Sequence, residues 1–214
     1  DVVSLLSFNE TSIQLGSYRK QINSLYGSVN LGWKHMLYFD ATLRGDQSST
    51  LPTNKNTYVY PSFSGSWVFS EVLKNNKALP YGKLRMSWAQ VGSDTNPYQL
   101  ALNYTKSRYT YTGYPMGFIN NSTIPNKNLK PTRTNSFEIG IETKFLQNRI
   151  SLDFTYYNQR SKNQIMGMAT SWTSGYTYRL INAGEIDNNG IEIQLGTRPI
   201  QTKDFSWDVN INFA

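Results

Sequence analysis

Residues 25–44 read LYGSVNLGWKHMLYFDATLR, two runs of alternating residues that meet across a two-residue turn. Leu25, Val29, Leu31 and Trp33 fall on one side of the first run, with Tyr26, Ser28, Asn30 and Gly32 on the other. After Lys34-His35 the pattern resumes, with Leu37, Phe39, Ala41 and Leu43 set against Tyr38, Asp40, Thr42 and Arg44. A period of two sends successive side chains to opposite faces of an extended backbone. The stretch is therefore predicted to be a long antiparallel hairpin with one apolar and one polar face.

The same unit recurs along the chain. Around Gln147-Asn148, the residues Phe137, Ile139, Ile141 and Phe145 enter a turn and Ile150, Leu152, Phe154 and Tyr156 leave it, with Glu138, Glu142, Lys144, Asp153 and Thr155 on the other side. A further hairpin is predicted about a connection from Pro199 to Lys203: Ile191, Ile193 and Leu195 precede it, and Phe205, Trp207, Val209, Ile211 and Phe213 follow. A weaker pair joins Val59, Phe63, Trp67 and Phe69 to Leu84, Met86 and Trp88 through a connection near residues 70–81. Together these make about eight strands.

Long polar segments rich in Asn, Ser, Thr, Gly and Tyr separate the hairpins, near residues 46–57, 92–134 and 163–178. Short and long connections thus alternate, as in outer-membrane barrels, whose periplasmic turns are short and extracellular loops long. The predicted strands reach about ten residues, suited to a tilted membrane crossing, whereas strands of soluble sheets are typically about five or six. Trp33, Phe69, Phe145, Phe205 and Trp207 gather beside the short connections, where an interfacial girdle would place them. Hydrocarbon offers no partner to backbone N–H and C=O groups, so a spanning sheet must close on itself.

The reading is thus an all-β, antiparallel transmembrane β-barrel. Eight strands could close a small barrel filled by its own side chains. The loop of more than 40 residues between Gly92 and Thr134, and a chain that ends on strand residues, instead suit about eight strands of a larger one. Residues 1–17 read as a loop or leading segment, residues 18–214 as barrel, and no plug is recognisable within the chain. The alternative is a soluble β-sandwich whose apolar face is core, with a sugar-binding role.

Composition agrees. Only 38% of the residues are hydrophobic, and the longest apolar run is Met36–Phe39, far short of the roughly 20 that a spanning helix needs. Aromatics make up 14% of the chain, which favours strands. With no cysteine there is neither a disulfide framework nor a thiolate metal site. The net charge of +7 comes from scattered Lys and Arg, without the basic stripe that nucleic acid requires.

Catalytic chemistry finds little support. The single histidine, His35, sits in a tight turn at the membrane edge. Glu138 and Glu142 share the polar face, where a water-filled lumen with Lys144 and Arg198 explains them better than a glycosidase pair does. The stretch Glu185–Asn189 lacks the oxygen spacing of a calcium loop. No catalytic, cofactor or metal residue is assigned, and the chain does not read as an enzyme. The most plausible functional surface is the long loop that carries Tyr104, Tyr109, Tyr111, Tyr114 and Phe118, with Lys106 and Arg108 among them. Such aromatics stack on substrate rings, or pack against the barrel rim or a partner.

Particular strings go further: LRGDQSS (43–49), YPSFSGSWVFSE (60–71), GKLRMSWAQVGS (82–93), NKNLKPTRTNSFEIGIETKFLQNRISLDFTYYNQRSKNQI (126–165), INAGEIDNNGIEIQLGTRPI (181–200) and FSWDVNINFA (205–214). In this order, over about residues 18–214, the chain resembles the C-terminal barrel of SusC/RagA-type TonB-dependent transporters of Bacteroidota. Within these strings, Pro131 stands just before a strand, where no ladder donor is required, and Asn188-Asn189-Gly190 is expected to permit a kink or bulge. The resemblance implies a barrel of about 22 strands with an N-terminal plug, embedded in outer-membrane lipid and driven by TonB through a region upstream. It also implies a SusD-like surface lipoprotein as partner, and oligosaccharides or peptides as cargo. A passive porin, or a structural or adhesin barrel, is the alternative.

Overall fold

The computed structural model describes residues 17–73, 78–119 and 122–214, with the side chains of Arg108 and Tyr109 outside that description. Lys34 and His35 take positive φ of 50° and 54°, the mirror-image turn whose twist matches that of the strands it joins. They connect β1 (Ile22–Trp33) to β2 (Leu37–Ser48). The sheet continues through β3 (Thr57–Trp67) and β4 (Tyr81–Ser93). Strands β5 (Thr105–Tyr111), β6 (Tyr114–Phe118) and β7 (Thr123–Ile124) lie in the long connection that follows. The wall resumes with β8 (Thr132–Phe145) and β9 (Ile150–Lys162), joined through positive φ at Leu146, Gln147 and Asn148. After β10 (Ile165–Ala169) and β11 (Tyr178–Asn182), it ends in β12 (Glu185–Gln201) and β13 (Ser206–Phe213).

Eight of these strands form one antiparallel sheet in the order β1-β2-β3-β4-β8-β9-β12-β13. The eight strands are those the alternation predicts. At one end of the sheet β1–β2, β8–β9 and β12–β13 are joined by tight connections, and the β3–β4 connection, as far as it is described, contains a 3-10 segment, Phe69–Glu71; the other end carries the extra strands. β1 and β13 lie at its two edges rather than against each other, so these strands do not close a barrel by themselves.

Register carries the apolar residues of successive strands onto one face. Trp33, Leu37, Trp67, Leu84, Ile141, Phe154, Ile193 and Phe213 form a row of direct neighbours that crosses all eight strands. This face is bare: Leu31 is 60% exposed, Phe39 45% and Phe213 60%. A sandwich would cover it with a second sheet. Among the described residues, the buried hydrophobic ones, Leu51, Tyr58, Tyr60 and Leu129, sit instead at the loop end. Tertiary packing is concentrated there, and the wall holds together by its ladder and by its polar face.

Several local expectations are corrected. Asn188, Asn189 and Gly190 form no kink; they pair regularly with Gln159, Asn158 and Tyr157. Gly190 instead leaves room for a neighbour, since a Cβ there would lie 2.7 Å from the Tyr157 hydroxyl as it stands. The left-handed residue is Gly184, just before β12, with φ 84°. Pro199 lies within β12, not in the turn. It occupies the irregularity between Thr197 and Ile200 where the β12–β13 register shifts, a bulge being where a strand tolerates a residue without an N–H. Phe69 leaves β3 for the 3-10 segment and covers Gly82, where a Cβ would meet its ring at 2.3 Å. The segments near 92–134 and 163–178 are not plain loops but contain β5, β6, β7 and β10.

Candidate functional site

The polar face is a wall of paired charges. Arg85 of β4 reaches across β8 to Asp153 of β9, donating from two nitrogens at 2.8 and 2.7 Å, and also bonds Thr155 Oγ1 at 2.6 Å. Gly140 of β8 is the direct neighbour of Arg85 on one side and of Thr155 on the other, and a Cβ there would stand 2.7 Å from Arg85 Nε. The absent side chain is what lets the guanidinium cross a strand. Asp40 accepts from Asn30 and from Ser64 Oγ, the latter at 3.1 Å. Arg198 pairs with Asp208 at 2.6 Å and the Lys144 ammonium lies 5.2 Å from the Tyr81 ring centre; these are the observed partners of the two cations expected beside Glu138 and Glu142. Those two carboxylates stand four residues apart on one strand, about 13 Å at the usual rise, too far for a glycosidase pair at about 5–9.5 Å.

At the loop end, Asp94 gathers the rim. It accepts from Lys20 Nζ at 2.6 Å, from Ser48 Oγ, and from Thr50 Oγ1 at 3.1 Å, tying the residues just before β1 and the β2–β3 connection to the end of β4. Burial works against the Asp94 charge, but the bonds from Lys20, Ser48 and Thr50 outweigh it and hold the carboxyl below the ordinary aspartate range. A depressed native value means that the anchor contributes stability above the ordinary aspartate pKa, and that this is lost as pH falls through the lowered value. Protection of the amides of residues 49–56, taken relative to their intrinsic exchange rates, is accordingly expected to fall on acidification below about pH 4, with Asp94→Asn showing the weak protection already at pH 7.

The two longer connections are joined to each other. β7 pairs in parallel with β11, which pairs with β10. Asn182 accepts from the Lys130 N–H at 2.8 Å and donates to the Lys130 and Asn163 carbonyls at 2.7 and 3.1 Å. Pro131 stands just before β8, as predicted, and Leu129 beside it is fully buried. From this base β5 and β6 project as a hairpin turned by Thr112 and Gly113, both at positive φ. Tyr104 (78%), Tyr111 (71%) and Tyr114 (74%) are exposed, with Phe118 half so. Tyr109 belongs to β5, and its side chain lies outside the described residues. The structure thus brings the candidate aromatics together on one hairpin.

Two further exposed side chains of the long connections, one carrying sulfur and one aromatic, escaped the sequence reading. Met116 shares the exposed β6 face with Tyr114 and Phe118, and Trp172 sits in a 3-10 turn between Ser171, which accepts from Thr173 N, and left-handed Gly175. Glu185 and Asp187, weighed as calcium ligands, pair with Arg160 at 3.0 and 2.7 Å.

The sequence model of the family described as "TonB dependent receptor-like, beta-barrel" matches residues 5–214. The chain belongs to this family. It is therefore part of an outer-membrane TonB-dependent receptor barrel, with its bare apolar face turned to lipid. TonB-dependent receptor P3 of Formosa agariphila is 24% identical over 208 residues, which span 95% of this chain and 21% of that receptor. TonB-dependent receptor SusC of Bacteroides thetaiotaomicron is 27% identical over 92% of this chain and 20% of its own length. The chain thus spans about a fifth of the length of these relatives. Among solved structures, the RagAB peptide transporter superposes with a TM-score of 0.82 at 22% identity, over 90% of this chain and 21% of that one. The siderophore receptor PirA from Pseudomonas aeruginosa superposes with 0.59 at 20% identity, over 91% of this chain and 34% of that one. These relatives are named as receptors and a transporter, not as enzymes.

Proposed function

We propose that residues 18–214 form part of the barrel wall of a TonB-dependent importer of oligosaccharides or peptides, whose extracellular end is covered by a SusD-like surface lipoprotein. TonB would act through a region outside these residues; the leading segment expected over residues 1–17 lies, up to residue 16, outside the described residues. The observation that carries the proposal is the contrast between the two faces and the two ends. The wall is apolar outside and lined by fixed ion pairs inside, with turns at one end and a braced loop assembly at the other. The name of the RagAB peptide transporter supports peptides as one cargo, and that of TonB-dependent receptor SusC supports the coupling to TonB. Cells expressing the complete receptor are expected to accumulate labelled oligosaccharide or peptide only when TonB is present. Equal accumulation without TonB would favour a passive barrel.

The aromatic hairpin is the proposed contact surface. Tyr104, Tyr109, Tyr111, Tyr114 and Phe118 are assigned to it, and the described side chains among them stand clear of the rim. Tyrosines exposed on a projecting hairpin suit a protein partner, where aromatic anchors dominate binding energy. The double variant Tyr111→Ala, Tyr114→Ala is expected to lower co-purification of the lipoprotein with the receptor by about tenfold or more. Intact co-purification with lost cargo uptake would assign the tyrosines to substrate instead.

A further inference from the structure

The lipid-facing side is not evenly filled. Gly65 of β3 stands in register between Phe39 of β2 and Met86 of β4, and the missing side chain opens a groove of about 460 Å³ walled by Phe39, Phe63, Trp67, Leu84, Met86 and Trp88. Phe63 and Trp88 stack with ring centres 6.0 Å apart and planes 13° from parallel, which stiffens one wall. The groove runs toward the short-turn end, where it includes Leu37. Trp33 is the direct neighbour of Leu37, and the Lys34 ammonium lies 4.6 Å from the Trp33 ring centre.

In a bilayer the lipid tails are as apolar as the protein face, so burial alone selects no particular lipid; shape and headgroup charge do. The groove supplies the shape, and Lys34 supplies a cation at the depth where aromatic and basic residues meet headgroups. We propose that this groove holds one acyl chain of an anionic phospholipid of the periplasmic leaflet, with its phosphate against Lys34. The inference rests on the outer-membrane placement of the sheet and not on any cargo. Its position at the short-turn end selects the periplasmic leaflet; lipid A belongs to the opposite one.

The test is to extract the complete receptor in mild detergent and count co-purified phospholipid per barrel by mass spectrometry. In Gly65→Leu the added Cβ would meet only the Tyr38 carbonyl, at 3.9 Å, so the barrel accommodates the leucine while the groove fills. Retained phospholipid is expected to fall about tenfold in Gly65→Leu and to fall also in Lys34→Glu, with both variants keeping the heat-modifiable gel mobility of a folded barrel and wild-type cargo uptake. Unchanged phospholipid in Gly65→Leu would overturn the proposal. So would lipid A as the species lost, or a receptor dimer that dissociates when the groove is filled.

Discussion

Ile139→Arg is expected to destabilise the folded receptor by about 2–4 kcal/mol, as for arginine on the lipid face near the bilayer midplane. Ile139 lies near the middle of β8 (Thr132–Phe145), in a row with Met86 and Tyr156, and nothing among the described residues covers its face. The same change at Phe205, beside the last short turn, is expected to cost only about 0–1 kcal/mol, because arginine there reaches the headgroups. Folding titrations of the complete receptor into lipid vesicles check both values. The depth dependence is the informative part, since a soluble core would penalise the charge at both positions. Equal costs would contradict the assignment of this face to lipid.

Gly140→Ala is expected to cost about 1.5–3 kcal/mol, the worth of hydrogen bonds to a charged group. The reason is not backbone strain but space: the new methyl displaces the Arg85 guanidinium from Asp153 and Thr155. The control is a double-mutant cycle. In an Arg85→Ala background, Gly140→Ala should be nearly neutral, because the side chain it displaces is already gone. Additive costs would mean that Gly140 matters for some other reason, and a neutral Gly140→Ala in the wild-type background would mean that Arg85 keeps its partners by another path.

Much of the wall was legible in the sequence. The Lys34-His35 and Gln147-Asn148 turns, the two faces of each long strand and the rhythm of the connections all follow from runs of ten or more alternating residues. The strands within the loops were not. β7 and β10 are short, β5 and β6 are rich in Tyr, Gly and Thr, and none alternates cleanly; β5 and β6 pair only with each other, β10 with β11, and β7 forms because β11 of the next long connection offers it a partner. Asn188-Asn189-Gly190 misled for a related reason. Its glycine answers to the ring of Tyr157 on the next strand rather than to its own backbone. Of the candidate site, the hairpin tyrosines were visible as an aromatic cluster, whereas Trp172 stood alone in the sequence and Asp94 looked like any loop carboxylate.

The division has a physical basis. The face to which a side chain points is a local property of extended backbone with period two, so the alternation alone places the strands of the wall, their apolar and polar faces and the end at which the short turns lie. What lies beside a residue depends on register between strands distant in the chain. Only the tertiary structure decided that Arg85 crosses Gly140 to reach Asp153, that Asp94 collects Lys20, Ser48 and Thr50, and that Gly65 falls between Phe39 and Met86 to leave a groove in the outer wall.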